Sequence, residues 1–327
     1  MTMRAQKTKA RDVLLGIDIG GTKVLAGLVN SRGKILHSVR TPMAARKTAR
    51  EGLQSVFDAL DAIMRDPRTK RTRSIGVSVP GWVDAVRGIL HSAPNISCWR
   101  NFPLAREIQR RYGLPVRIEN DANAAVLAEA AWGAGAKHAN VFYVTVGTGV
   151  GTGIVLHQRL YSGRTGGASE GGHVTIDFHG PRCGCGKRGC VEAYVSGTAI
   201  ARRARELLSK PGARRSKILK AAGGRLVAVK AEHVARAARQ GDRLAVQILN
   251  DSADHFAIWL GGVIDMLEPD VIIIGGGMAS LMMSLLPRIR RGLRTWAANP
   301  RRHEIPIVCA HFGADSALAG AAALTIR

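Results

Sequence analysis

Apolar residues occur in short blocks, and their spacing separates strands from helices along most of the chain. Residues 13–17, 24–29 and 35–39 are apolar, β-rich runs. They are parted by Asp18-Ile19-Gly20-Gly21-Thr22-Lys23 and by the turn signal Ser31-Arg32-Gly33. This predicts a three-stranded meander with a glycine-rich first hairpin. Between 46 and 64, Leu53, Val56, Phe57, Leu60 and Ile63 fall at helical spacing, and Pro67 marks the end. A strand follows at 74–79, stopped by Pro80-Gly81. A helix at 104–112 leads through Gly113 to a strand at 116–119, and 122–132 is an alanine-rich helix.

After Gly133-Ala134-Gly135 the pattern restarts. A strand is predicted at 140–146, a second glycine-rich hairpin at 147–153 and a strand at 154–156. Helices are predicted at 197–208, 231–239 and 242–267. The apolar strand 271–274 runs into Gly275-Gly276-Gly277, and a helix at 284–295, a strand at 307–309 and a helix from Asp315 close the chain. The theme of strand, glycine hairpin and strand, then mixed helices and strands, appears twice. It predicts two α/β domains with a cleft between them. The first is expected over 1–136 and the second over 137–313, with a last helix, 314–327, packing back on the first.

Composition agrees with this size. The chain has 327 residues, 46% of them hydrophobic, which suits two domains with real cores. A net charge of +24 predicts attraction to anions. The charges are spread out, which fits a solvated arginine-rich surface. No aromatic RNA-stacking motif or recognition helix accompanies them, so a specific nucleic-acid reader is not expected. Polyphosphate binding and nonspecific nucleic-acid binding stay open. No stretch is long and apolar enough to span a bilayer. The first eleven residues are basic, lack the apolar core of a signal peptide and read as a flexible tail. Five cysteines, three crowded at Cys183, Cys185 and Cys190, read as metal ligands in a reducing cytoplasm.

The candidate chemistry clusters in a few motifs. In the first hairpin, Gly20 and Gly21 let backbone N–H groups approach a phosphate. Thr22 and Lys23 are possible helpers, and Asp18 a possible Mg²⁺ partner. The second hairpin, with Gly147, Thr148 and Gly149, repeats the device. Two such hairpins suit phosphoryl transfer, although neither has P-loop spacing. Gly184, Gly186 and Gly189 match a dinucleotide fingerprint only formally, because no strand-to-helix turn surrounds them. Glu119-Asn120-Asp121-Ala122-Asn123 lies where a strand enters a helix. Asn120 or Asp121 can cap that helix, and Asp121 can act as a general base on a hydroxyl while Asn120 binds a neighbouring one. Pro80-Gly81 and Ala93-Pro94-Asn95 are turns by default, and Asn95 with nearby Trp99 suits the wall of a polyol pocket.

The most specific signal is Glu170-Gly171-Gly172-His173 followed by Cys183-Gly184-Cys185-Gly186-Lys187-Arg188-Gly189-Cys190-Val191-Glu192. His173, Cys183, Cys185 and Cys190 complete a tetrahedral zinc shell with no open position, hence a structural one. Glu170 and Glu192 flank it and suit acceptors for sugar hydroxyls. Paired carboxylates also raise a glycosidase reading, against which the zinc loop and the phosphate-type hairpins count.

Together these residues, with Leu267-Glu268-Pro269 leading to Gly275-Gly276-Gly277, resemble the ROK group (repressors, open reading frames, kinases), most closely its bacterial ATP-dependent glucokinases. The resemblance runs from about residue 13 to 323. It implies two ribonuclease-H-like domains of the actin/hexokinase superfamily, closing over a hexose in a cytoplasmic homodimer. It implies Asp121 as the base for the sugar 6-hydroxyl, and Gly81, Asn95, Asn120, Glu170, His173 and Glu192 as sugar contacts. It also implies Asp18, Gly20, Gly21, Thr22, Lys23, Gly147, Thr148, Gly149, Gly275, Gly276 and Gly277 around ATP and Mg²⁺, beside a structural Zn²⁺. Other hexoses are alternatives (N-acetylmannosamine, N-acetylglucosamine, fructose, allose), as are a polyphosphate donor and a sugar sensor without catalysis. About a dozen residues precede Val13, too few for the helix-turn-helix of a ROK repressor. Trp82 stands after Gly81 where a small residue or proline is more usual.

Overall fold

A computed structural model describes residues 13–211 and 215–326; the basic tail at the start lies outside them. Strands β1 (Val13–Ile19), β2 (Lys23–Asn30) and β3 (Ile35–Pro42) form the antiparallel meander. Helix α1 (Ala49–Met64) begins with a capping box. Glu51 N donates to Thr48 Oγ1 at 3.2 Å, and Thr48 N donates to Glu51 Oε2 at 3.0 Å. Then come β4 (Ile75–Val79), β5 (Trp82–Asp84), β6 (Ile89–Ser92), α2 (Leu104–Tyr112), β7 (Val116–Asn120) and α3 (Asp121–Trp132). The first sheet has the order β3-β2-β1-β4-β7, with β1, β4 and β7 parallel.

The chain continues through β8 (Val141–Val146), β9 (Val150–Leu156), β10 (Arg159–Leu160), α4 (Glu192–Val195), α5 (Gly197–Leu208) and α6 (Lys217–Ala221). Next are α7 (Ala231–Arg239), α8 (Arg243–Leu267), β11 (Val271–Gly275), α9 (Ala279–Ser284), α10 (Leu286–Trp296), β12 (Ile307–Cys309) and α11 (Ser316–Ala323). The second sheet has the order β10-β9-β8-β11-β12.

The described chain divides into two units. One comprises residues 13–143, 153–169 and 310–326; the other comprises 144–152 and 170–309. In the first unit the pleat of β1 sends alternate residues to opposite faces. Val13, Leu15, Ile17 and Ile19 join Val56 and Leu60 of α1 in one core, while Leu14 packs with Ala322 of α11. Helix α11 also packs on α3. Its sequence Ser-Ala-Leu-Ala-Gly-Ala-Ala-Ala is small enough for this. A Cβ on Gly16 would fall 2.6 Å from Ala322 N, so the helix backbone rests directly on the sheet. In the second unit α8 is the central helix, with α4, α5, α7 and α10 packed against it.

Three elements differ from the sequence-based expectation. The hairpin β5–β6 occupies a stretch for which no element was expected, because its strands are too short to show alternation. Strand β9 starts at Val150 rather than Ile154. Its glycines had read as turn, yet Gly153 is in the strand because a Cβ there would meet Ala122 O and Val126. The helix expected at 284–295 is α10, with Pro287 in its first turn, but a further short helix, α9, precedes it where none was expected.

Candidate functional site

In the first unit the candidate residues gather at the carboxyl ends of β1, β4 and β7. Asp18 is in register with Ser78, and Ser78 with Glu119. The carboxyl edge of parallel strands is where open α/β sheets bind ligands, since the chain leaves the sheet there in loops and helix starts. Ser78 Oγ donates to Asp18 Oδ1 at 3.1 Å. Burial, then the neighbouring Asp121, push Asp18 up to about 6, against the opposing pull of Ser78 and Lys23. Asp121 is also raised, chiefly by burial, while the N–H of Ala122, 2.9 Å from its Oδ1, acts the other way. Both carboxylates therefore hold protons more tightly than an exposed aspartate.

The capping alternative resolves onto Asn120. Its Oδ1 accepts from Ala122 N at 2.9 Å and Asn123 N at 3.3 Å, and its Nδ2 donates to Gly81 O at 3.0 Å. Glu119 is buried and raised by desolvation, and its Oε1 accepts from Asn120 N and from Asn123 Nδ2 at 3.1 Å. Gly20 N donates to Lys23 O at 2.9 Å and closes the first hairpin, leaving Thr22 and Lys23 exposed. A Cβ on Gly21 would lie 2.8 Å from Asn95 Cβ, so the hairpin and the Asn95 loop touch only because residue 21 is glycine. Trp99 corrects the sequence reading. It is 2% exposed, stacks on Phe102 and donates Nε1 to Ala49 O, so it belongs to the core and lines no pocket. The exposed aromatic beside Gly81 is Trp82, which packs on His91 and donates Nε1 to Thr165 O at 3.2 Å.

In the second unit Gly147 N donates to Gly149 O at 2.9 Å, which closes a tight turn. Two features absent from the sequence reading support it. Gly197 N donates to Gly147 O at 2.8 Å, and Thr198 Oγ1 donates to Thr148 O at 2.8 Å, so the N-terminus of α5 braces the turn. The N-cap Ser196 before that helix was the legible signal. From the other side, Met278 N donates to Val146 O at 2.9 Å, and Gly276 adopts φ 83° against the same carbonyl. Gly275, Gly276 and Gly277 thus lie beside Gly147, Thr148 and Gly149.

The cysteine loop and the Glu170 turn join this hairpin through one side chain. Glu192 Oε2 accepts from Val150 N at 2.9 Å, and its Oε1 lies 3.5 Å from Cys183 Sγ. Gly171 N donates to Thr152 Oγ1 at 3.0 Å, seating the turn that carries Glu170 and His173 on β9. The ligand atoms of His173, Cys183, Cys185 and Cys190 lie within 4.8 Å of one another. Cys185 Sγ and Cys190 Sγ are 3.7 Å apart, and Cys183 Sγ is 3.6 Å from His173 Nδ1. Tetrahedral zinc, with bonds of about 2.3 Å to sulfur and about 2.1 Å to nitrogen, sets such pairs about 3.6–3.8 Å apart. The residues fit the ion. Burial pushes the Cys183 thiol up to about 12, and a bound cation supplies the charge that ionises such a group. His173 Nδ1 faces the thiols, while Nε2 is 3.9 Å from Glu170 Oε2.

Residues 14–327 match the ROK family. The chain belongs to that family. Its relatives in the ROK family include the glucokinase of Thermotoga maritima, 36% identical over 95% of this chain and 96% of that protein. The N-acetylmannosamine kinase of Yersinia pseudotuberculosis is 34% identical over 94% of this chain and 96% of that one. Among solved structures, a ROK glucokinase from Streptomyces griseus, in complex with glucose and AMPPNP, matches with a TM-score of 0.81 and 34% identity. That match covers 95% of this chain and 98% of the other. Among the described residues, no helix is long and apolar enough to cross a membrane.

Proposed function

We propose that this ROK protein is an ATP-dependent hexose kinase that phosphorylates the 6-hydroxyl of glucose. The observation that carries the reading is Asp121, a carboxylate of raised proton affinity at the start of α3. A base must take the hydroxyl proton as the oxygen attacks phosphorus, and a carboxylate drawn toward neutral pH does so better than an ordinary one. The capping role of Asn120 leaves Asp121 to that task. Similarity to glucokinases supports the choice of sugar. The N-acetylmannosamine kinase at similar identity makes that amino sugar the second reading.

In this reading Asn95, Gly81, the second N–H of Asn120 Nδ2, Glu170, His173 and Glu192 serve the sugar. Glu192 offers Oε1, since Oε2 is held by Val150 N. Zinc, held by His173, Cys183, Cys185 and Cys190, supplies rigidity to that wall and no chemistry. Asp18 holds Mg²⁺. Backbone N–H groups around Gly20, Gly21, Gly147, Thr148 and Gly149, with Thr22 and Lys23 and with Gly275, Gly276 and Gly277 nearby, take the ATP phosphates. Positioning and the exclusion of water then do most of the work. The test is a coupled assay over a hexose panel with Mg²⁺ and either ATP or polyphosphate. Turnover with ATP, highest on glucose, is expected; no turnover on any hexose sinks the proposal.

A further inference from the structure

Helix α10 is strongly basic, and most of its neighbouring charges are paired. Arg288 makes a bidentate pair with Asp254, at 2.7 and 2.6 Å. Arg301, just beyond the helix, pairs with Glu304 at 2.7 Å. Asp265 accepts from Ala298 N and Asn299 N, both at 2.9 Å. Of the arginines outside these pairs, Arg290, Arg294 and Arg302 converge. Arg290, Leu293 and Arg294 are at i, i+3 and i+4 on one face of α10. With Arg302 and His303 they line a cavity of about 360 Å³ in which no acidic residue takes part.

The interior of this group is unsatisfied. Among the described residues, Arg290 Nη1 is buried and has no hydrogen-bond partner. A buried charged donor without a partner is costly, and in a native protein it signals a bound ion or water. Arg302 is already oriented: its Nη1 donates to Asn299 O at 2.9 Å and its Nη2 to Arg294 O at 3.4 Å. Its position is thus set before any ligand arrives. The opposing field is weak by comparison. The carboxyl end of α10 carries about half a negative charge, against three guanidinium charges.

We propose that Arg290, Arg294, Arg302 and His303 form a binding site for a phosphate group, separate from the kinase site. Guanidinium forks match phosphate oxygens in pairs, which a lysine patch does not do. A free phosphate ion, a phosphorylated sugar and a polyphosphate chain all present that group, and the experiment separates them.

Binding is measured by calorimetry on the full chain at constant ionic strength, with glucose and AMPPNP present in excess. The probes are inorganic phosphate, glucose 6-phosphate and tripolyphosphate. At least one is expected to bind, and the tightest identifies the source of the phosphate group. Affinity should fall at least tenfold in Arg290→Gln, and further in Arg294→Glu. Arg294 is exposed, and only its backbone oxygen serves Arg302, so the second variant keeps the fold even if the first does not. No binding of any probe overturns the proposal. So does binding of equal strength in the wild type and in Arg294→Glu.

Discussion

Glu129 is fully buried in α3 and forms a polar joint of the first unit. Its Oε2 accepts from Ala134 N at 2.9 Å and its Oε1 from Phe312 N at 3.0 Å. One carboxylate therefore ties the exit of α3 to the segment that leads into α11. Glu129→Gln keeps the size and one acceptor oxygen, but turns an NH₂ group toward a backbone N–H. It loses one hydrogen bond to a charged group and strands one donor, a cost of about 2–3 kcal/mol. For a unit of this size each kcal/mol moves the melting temperature by about 2–4 °C, so a drop of roughly 4–12 °C is expected. Glu129→Leu strands both donors and should fall further. Scanning calorimetry reads the transition of the first unit, and hydrogen exchange at Ala134 and Phe312 reports the two bonds separately. If Glu129→Gln melts within a degree of the wild type with both amides still protected, the joint does not carry the stability argued here.

Three other outcomes follow from the site. Asp121→Asn should lower kcat by about 10²–10⁴-fold while hexose affinity, measured without ATP, changes little; unchanged kcat removes Asp121 as the base. Metal analysis should find one zinc per chain. Cys185→Ser should weaken zinc retention more than tenfold and lower both hexose affinity and the melting temperature; intact hexose binding in zinc-free protein refutes the bracing role. Asp18 gives a pH signature. Its folded value of about 6 lies above the ordinary aspartate value of about 4, so between those pH values the folded chain holds a proton that the unfolded chain has released. Stability therefore falls as pH rises through that window and is flat above it. Asp18→Asn should lessen that slope, and an unchanged profile by urea titration at several pH values contradicts the assignment.

Much of this protein was written locally. The amphipathic spacing of α1, the glycine after α2 and the apolar run of β11 depend on neighbours in sequence, so they were legible. So was the cluster of potential metal ligands, because three cysteines within eight residues can meet at one point whatever the rest of the chain does, and His173 joins them. Tertiary structure decided what depends on partners far along the chain. Trp99 looked like a pocket wall until the core of the first unit closed over it. Asp18 acquires its raised proton affinity only where β1 and the start of α3 bring it close to Asp121 and shut out water. Glu192 meets Val150 N, and Arg290 Nη1 loses its solvent, for the same reason. Propensity and periodicity are properties of short segments, whereas burial, dielectric and hydrogen-bond supply belong to the folded neighbourhood. The sequence by itself therefore named the chemistry of each side chain, and only the fold set how strongly that chemistry is expressed.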